Sequence, residues 1–344
     1  MGRFSRRCCL ALASLGGPAF AQGAAVPTIP ILERAVADGE LGRVAALAAE
    51  QHGAITYRKR FDGKAPGDPV DIRSAGKSLT ALAVGAAIAD GKLPGVELKV
   101  WPYLGASRGE PFDSITVRDL LTMSSALDCF DGDPRSPGQE EKMYRARDWK
   151  RFVLALPARR ATRDATGLYP WSYCTAGVFL LGQVVEQAVG EPFDRYVQRR
   201  LLDPLAIHSV IWRRSPIGQV QSGGQLRIAD ADLLKLGRLV LDRGLWHGET
   251  LLPAAWIAQM LEPHRQLGPN AYYGYLWWAF PLASPAGYEG VWAMQGNGGN
   301  YVAILRGYDA VLVVQAQNYN NSKADRWSIR ALEAMLAAMP QAKP

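Results

Sequence analysis

The chain changes its hydrophobic rhythm twice. A helical pattern at 28 to 39 is followed by two strand-like runs, "RVAALAAE" and "AITYRKRF", which meet at His52 and Gly53. From 74 to about 205 the rhythm is helical. It opens with Leu79, Leu82, Val84, Ala87 and Ile88 at mixed spacings of three and four and closes at Gly91. Strand patterns return late as "YEGVWAMQG", "NYVAILRG" and "AVLVVQAQ", cut by Gly and Asp turns, before an amphipathic helix near 323 to 339. Within the helical middle, "DGDPRSPGQEEK" at 131 to 142 reads as a surface loop. Strand groups at both ends of a helical middle predict an α/β fold. Its antiparallel sheet is formed by both chain ends and flanked by helices, with a mostly helical region at about 80–205 inserted between the strand groups. No internal repeat or low-complexity linker interrupts 22–344, which is expected to form one domain.

Composition bears on compartment and partners. The first 21 residues carry Arg3, Arg6 and Arg7, a short apolar run, then Ala19, Phe20 and Ala21, the layout of a signal peptide for export to the periplasm or beyond. "SRRCCL" also has the paired arginines of a twin-arginine signal. Removing the segment takes away three arginines and no acids, so the formal charge falls from +7 to +4. The remaining basic residues are scattered among acidic ones, which is no footprint for nucleic acid. No later stretch is apolar for the ~18 residues a membrane span needs. Cys8 and Cys9 leave with the signal, and the remaining pair, Cys129 and Cys174, allows one disulfide. His52, His208, His247 and His264 have no metal-ligand spacing, so neither a metal nor another cofactor is expected.

Candidate chemistry begins at "RSAGKSLTA", residues 73 to 81. Three residues make about 300° of helical turn, so Lys77 returns to the face of Ser74 and can set an ammonium beside its hydroxyl. That pairing suits a nucleophile and its cation, although a serine N-cap followed by a solvated lysine has the same spelling. "GASRG" around Ser107 matches a nucleophile elbow in letters only, because Pro111 interrupts the helix that such an elbow requires.

Further motifs stand in order: "ITVRDLLTMSSAL" at 115 to 127, "YCTAGVFLLGQVVEQAVG" at 173 to 190, "GGQLRIADADLLKLGRLVLDRGLWHGETLLPAAW" at 223 to 256, "YGYLWW" at 273 to 278 and "GNGGNYVAIL" at 296 to 305. Together with "SAGK" they resemble the beta-lactamase-related serine hydrolases, which include class C beta-lactamases, D-Ala-D-Ala carboxypeptidases, esterases and 6-aminohexanoate-dimer hydrolases. The resemblance implies a beta-lactamase/transpeptidase-like fold, with Ser74 the acylated nucleophile and Lys77 and Tyr173 its proton-transfer pair. A phenol has a pKa near 10, so its phenolate at neutral pH costs about 4 kcal/mol unless a cation such as Lys77 adjoins it. The resemblance further implies an oxyanion hole from the backbone amides of Ser74 and Asn300. It puts Thr175, Asn297, Gly298 and Gly299 on the substrate side.

Two positions depart from the family pattern. Thr175 stands where an Asn amide is usual, and Asn297 where a Lys or His is usual. Without that charge the site suits a neutral ester or amide better than a beta-lactam or D-Ala-D-Ala peptide. Two classes remain open: an exported hydrolase working on a small ester, amide or peptide-like molecule, and a binding or sensing protein that kept the fold after catalysis eroded. The motif positions also imply a Cys129–Cys174 disulfide, since these cysteines lie beside the family's cleft and its base.

Overall fold

The computed structural model describes residues 29–340, so the signal peptide expected at 1–21 lies outside the described residues. Eight strands form the main antiparallel sheet. They are β1 (Val44–Gln51) and β2 (Ala54–Arg60) from the start of the chain, and β6 (Arg265–Gly268), β7 (Ala271–Tyr273), β8 (Trp278–Ser284), β9 (Gly287–Gly296), β10 (Asn300–Leu305) and β11 (Ala310–Ala316) from its end. Their order is β2-β1-β11-β10-β9-β8-β7-β6. The two chain ends join where β1 pairs with β11, Leu47 opposite Val314 and Gln51 opposite Ala310.

This sheet is covered on both faces, and that explains why β11 reads as an unbroken apolar run rather than an alternation. Val311 and Val313 face one hydrophobic cluster, which takes in the helical middle of the chain, while Leu312 and Val314 face a second. The second cluster is closed by helices α1 (Ile29–Ala37) and α5 (Ala324–Ala337), which contribute Leu32, Leu332 and Met335. Strand β2 is the exposed edge, and Arg58, Lys59 and Arg60 charge it against pairing with another chain.

Between the strand groups lie helices α2 (Lys77–Ala89) and α3 (Thr175–Val189), and then α4 (Asp230–Leu241) on the sheet. Every residue of α2 from Lys77 through Ala87 is buried, including the lysine. A small second sheet, in which β3 (Val70–Asp71) and β4 (Ile211–Trp212) both pair with β5 (Leu226–Ile228), ties the approach to Ser74 to residues far along the chain. Strands β6, β7 and β8 form the part of the sheet that the sequence pattern did not predict. Pro269, Gly268 and Gly274 break that stretch into pieces too short to show a period.

Candidate active site

The turn bearing Ser74 is held from three sides. Ile72 donates its amide to Leu226 O at 2.9 Å, and Gln225 donates to Arg73 O at 3.0 Å. Arg73 adopts a left-handed backbone with φ of 52°, a conformation that costs a non-glycine residue about 1–2 kcal/mol. Its amide is taken by Asp71 Oδ1 at 2.9 Å, and its guanidinium lies 4.3 Å over the Tyr319 ring. Tyr319 in turn donates its hydroxyl to Asp71 O at 2.9 Å. Ser74 itself falls in a single 3-10 turn, Arg73–Gly76, one step ahead of α2.

Two glycines let other segments close on this turn. A Cβ on Gly224, whose φ is 130°, would stand 2.9 Å from Arg73 O and 3.2 Å from Ser74 Cα. On Gly296, at the end of β9, it would stand 2.0 Å from Ile72 O. Any larger residue at either place would displace the nucleophile.

Lys77 lies where the spacing predicted. Its Nζ donates to Ser74 Oγ at 2.9 Å and to Gly223 O at 2.6 Å. Burial pushes its pKa down, while the charges of Glu140 and Asp131 oppose the shift. Gly223 is held in turn by Gln221, a fully buried side chain whose Oε1 accepts the Gly223 amide at 2.8 Å. The Tyr173 ring lies 5.0 Å from Lys77 Nζ and packs against Trp171 and Trp278. Ser74, Lys77 and Tyr173, spread over a hundred residues of sequence, thus meet at one place. Trp277 is fully buried, whereas Trp278 is the aromatic wall beside Tyr173.

The segment carrying Tyr173 is clamped through Cys129 and Asp131. The Cys129–Cys174 disulfide is present, with Cα atoms 5.4 Å apart. Ser172 Oγ donates to Cys129 O at 2.7 Å, and Asp131 N donates to Tyr173 O at 2.9 Å. The Asp131 carboxylate accepts the Thr175 amide at 2.7 Å on one oxygen and the Glu140 amide at 3.1 Å on the other. The expected surface loop at 131–142 is therefore corrected at Asp131, whose carboxylate turns in to these amides, and at Glu140, whose carboxylate accepts the Tyr144 hydroxyl at 3.0 Å; the charges of both act on Lys77. Burial, with the Glu140 charge adding to it, pushes the Asp131 carboxyl up to about 7, against the pull of Lys77. Nothing in the letters "FDGD" marks that aspartate; only its position two residues after Cys129 hints at it.

A pH prediction follows from these charges. An ionised Asp131 favours the ammonium form of Lys77 and so raises the pH at which the free amine appears. Asp131→Asn removes that influence, and kcat/KM should reach its plateau at lower pH than in the wild type. A plateau at the same pH would show that Asp131 does not act on Lys77. The disulfide gives a second prediction. Closing its loop is worth about 4 kcal/mol in the chain-entropy model, so a Cys129→Ser, Cys174→Ser double variant should lose most of that in urea unfolding. Under folding conditions its kcat should also fall by about tenfold or more, because the backbone of Tyr173 is freed. Unchanged kcat in the folded variant would limit the bond to stability.

Side-chain bonds and close packing hold the glycine-rich turn. Asn297 spends its side chain on Asn320, donating Nδ2 to Asn320 Oδ1 at 2.8 Å and accepting Asn320 N at 2.8 Å. Gly298, with φ of 89°, leaves room for the Tyr319 ring, and Gly299 leaves room for Ser328 of α5. Asn300 is buried, opposite Gly296 in the β9–β10 ladder, and its Nδ2 donates to Asn297 O at 3.0 Å and Ala316 O at 3.1 Å. These residues brace the hairpin, and Gly296 is the one that meets the nucleophile turn. Thr175 is fully buried; its carbonyl and methyl lie 2.8 and 2.9 Å from where a Gly223 Cβ would stand. It backs the loop whose carbonyl holds Lys77.

No group of three His, Cys, Asp or Glu among the described residues could hold a metal ion. No helix among them is long and apolar enough to cross a membrane.

Comparison with known proteins bears on the family and the fold. The beta-lactamase family model matches residues 34–335. The 6-aminohexanoate-dimer hydrolase of Paenarthrobacter ureafaciens is 26% identical over 249 residues, 64% of this chain and 60% of that protein. The chain thus spans about three fifths of the length of that curated relative. Among solved structures, a putative 6-aminohexanoate-dimer hydrolase from Bacillus anthracis is similar with a TM-score of 0.71 at 16% identity, covering 87% of this chain and 80% of that one. EstCE1, a hydrolase with promiscuous acyltransferase activity, is similar with a TM-score of 0.70 at 16% identity, covering 90% and 97%. The chain belongs to the beta-lactamase family.

Proposed function

We propose that this protein, exported and oxidised at Cys129–Cys174, hydrolyses a small ester or amide through an acyl-enzyme on Ser74. The observation that carries the reading is the 2.9 Å contact of a buried, desolvated Lys77 amine with Ser74 Oγ, beside the Tyr173 ring. With Lys77 neutral, its lone pair takes the hydroxyl proton as Oγ attacks the carbonyl. Tyr173, polarised by the Lys77 charge that results, donates a proton to the leaving group. Water then attacks the ester on Ser74 and the proton path runs in reverse. The oxyanion is met by the Ser74 amide, which lies in a 3-10 turn where amides are free to point outward. A second donor is expected from the backbone of the hairpin 296–300, whose first residue, Gly296, closes on the nucleophile turn at Ile72 O, with the Asn300 amide the donor that the family resemblance implies.

Beta-lactam or D-Ala-D-Ala hydrolysis is the alternative, and Asn297 speaks against it: the residue is neutral, and both ends of its amide are bonded to Asn320. The test compares kcat/KM for p-nitrophenyl hexanoate and for nitrocefin. The ester should be favoured by about 100-fold or more, about 2.7 kcal/mol of transition-state binding. A ratio near one would support the beta-lactamase reading, and no turnover of either would support an eroded binding protein.

A further inference from the structure

We infer that Arg213 selects substrates that carry a carboxylate remote from the scissile bond, a reading that rests on Ser74 acyl transfer as proposed above. Strand register brings Arg213 to the site. Trp212 stands opposite Leu226 in the β4–β5 pair, so the next residue outward, Arg213, falls opposite Gln225. Gln225 follows Gly224, which closes on Ser74, and its own amide is bonded to Arg73 O. The guanidinium is therefore one side chain away from the nucleophile turn.

Its posture is set by two contacts. Nη1 donates to Gln225 Oε1, and Cζ lies 4.0 Å over the ring of Tyr144. Tyr144 donates its hydroxyl to Glu140 Oε2 at 3.0 Å, which anchors the ring from its far end. A guanidinium has five N–H donors, and a stacked, singly bonded one keeps an open fork for a carboxylate at little entropic cost. Arg213 is exposed and forms no ion pair among the described residues. Neighbouring cations differ: Arg214 is paired with Asp194 and Arg73 with Asp71.

Charge around the site gives the substrate a direction. The charges of Glu140 and Asp131 act on Lys77 and repel an anion beside it; Glu140 also holds the Tyr144 hydroxyl, so it is at the face of that ring, beside Gln225, that Arg213 offers its fork to an anion. A molecule with a carbonyl at one end and a carboxylate at the other is thereby held one way round. The expectation of a neutral substrate came from Asn297 alone, and Arg213 restores a cation from a different wall. Arg306 does not serve, because it follows the far end of β10, about 20 Å of strand from Asn300.

The test uses mono-p-nitrophenyl suberate, long enough that its carboxylate does not attack its own ester, against p-nitrophenyl octanoate. In the wild type kcat/KM should favour the suberate by about tenfold or more, chiefly through KM. Arg213→Gln should collapse that ratio toward one, and Arg213→Lys should recover part of it. An equal loss on both esters, or an unchanged ratio, would overturn the proposal. A second arm is independent of turnover: monomethyl and dimethyl suberate are titrated calorimetrically into Ser74→Ala protein, with and without the Arg213→Gln substitution. Tighter binding of the monoester that disappears in the Arg213→Gln background supports the carboxylate site even if the acyl-enzyme reading fails. Equal binding of the two esters refutes the site even if that reading holds.

Discussion

Ser74→Ala should lower kcat for p-nitrophenyl hexanoate by about 10⁴-fold or more while leaving the unfolding transition in place. Only one hydroxyl is removed, and with it the hydrogen bond from Lys77 Nζ. The turn around it stays fixed by backbone bonds from Ile72 and Gln225. A variant that keeps more than about a hundredth of the rate would redirect attention to another nucleophile. Ser107, exposed in a loop, is the sequence's own alternative.

The second large effect concerns the proton path. Lys77→Ala and Tyr173→Phe should each reduce kcat by about 10³-fold or more, and the double variant should be no more than about tenfold slower than the worse single one. Groups that act as one unit lose their whole effect when either member goes. Lys77→Ala also leaves the Gly223 carbonyl without its 2.6 Å donor, so stability is measured alongside. A polar atom orphaned there should cost about 1–3 kcal/mol. Tyr173→Phe keeps the ring contacts with Trp171 and Trp278, which isolates the hydroxyl. Losses that multiply in the double variant would mean that the two side chains act in separate steps.

What the sequence made legible depended on how local each signal was. The Ser74–Lys77 contact is a matter of three residues in a helical turn, so the spacing shows that it can form, while the choice against a serine cap with a solvated lysine rests on the ordered motifs farther along the chain. The strands of the chain ends were readable because Gly and Asp turns punctuate them and because β9, β10 and β11 are long. Asp131 was hidden in a run of turn-forming residues that looks like any solvated loop, and only the disulfide and the start of α3 draw it inward. Glycines 296, 298 and 299 look alike in the sequence. The pairing of Gly296 with Asn300 decides which of them meets Ile72 and which pack on Tyr319 and α5. Arg213 and Gln225 meet through strands of two and three residues, too short for any periodicity to betray.

The most direct test of the account is intact-protein mass spectrometry of the wild type, acid-quenched during turnover of a slow ester and repeated after a fluorophosphonate label. The account predicts a single adduct of acyl or phosphonyl mass that maps to the peptide containing Ser74 and is absent from Ser74→Ala. Turnover without any adduct on that peptide, or an adduct that persists in Ser74→Ala, would contradict it.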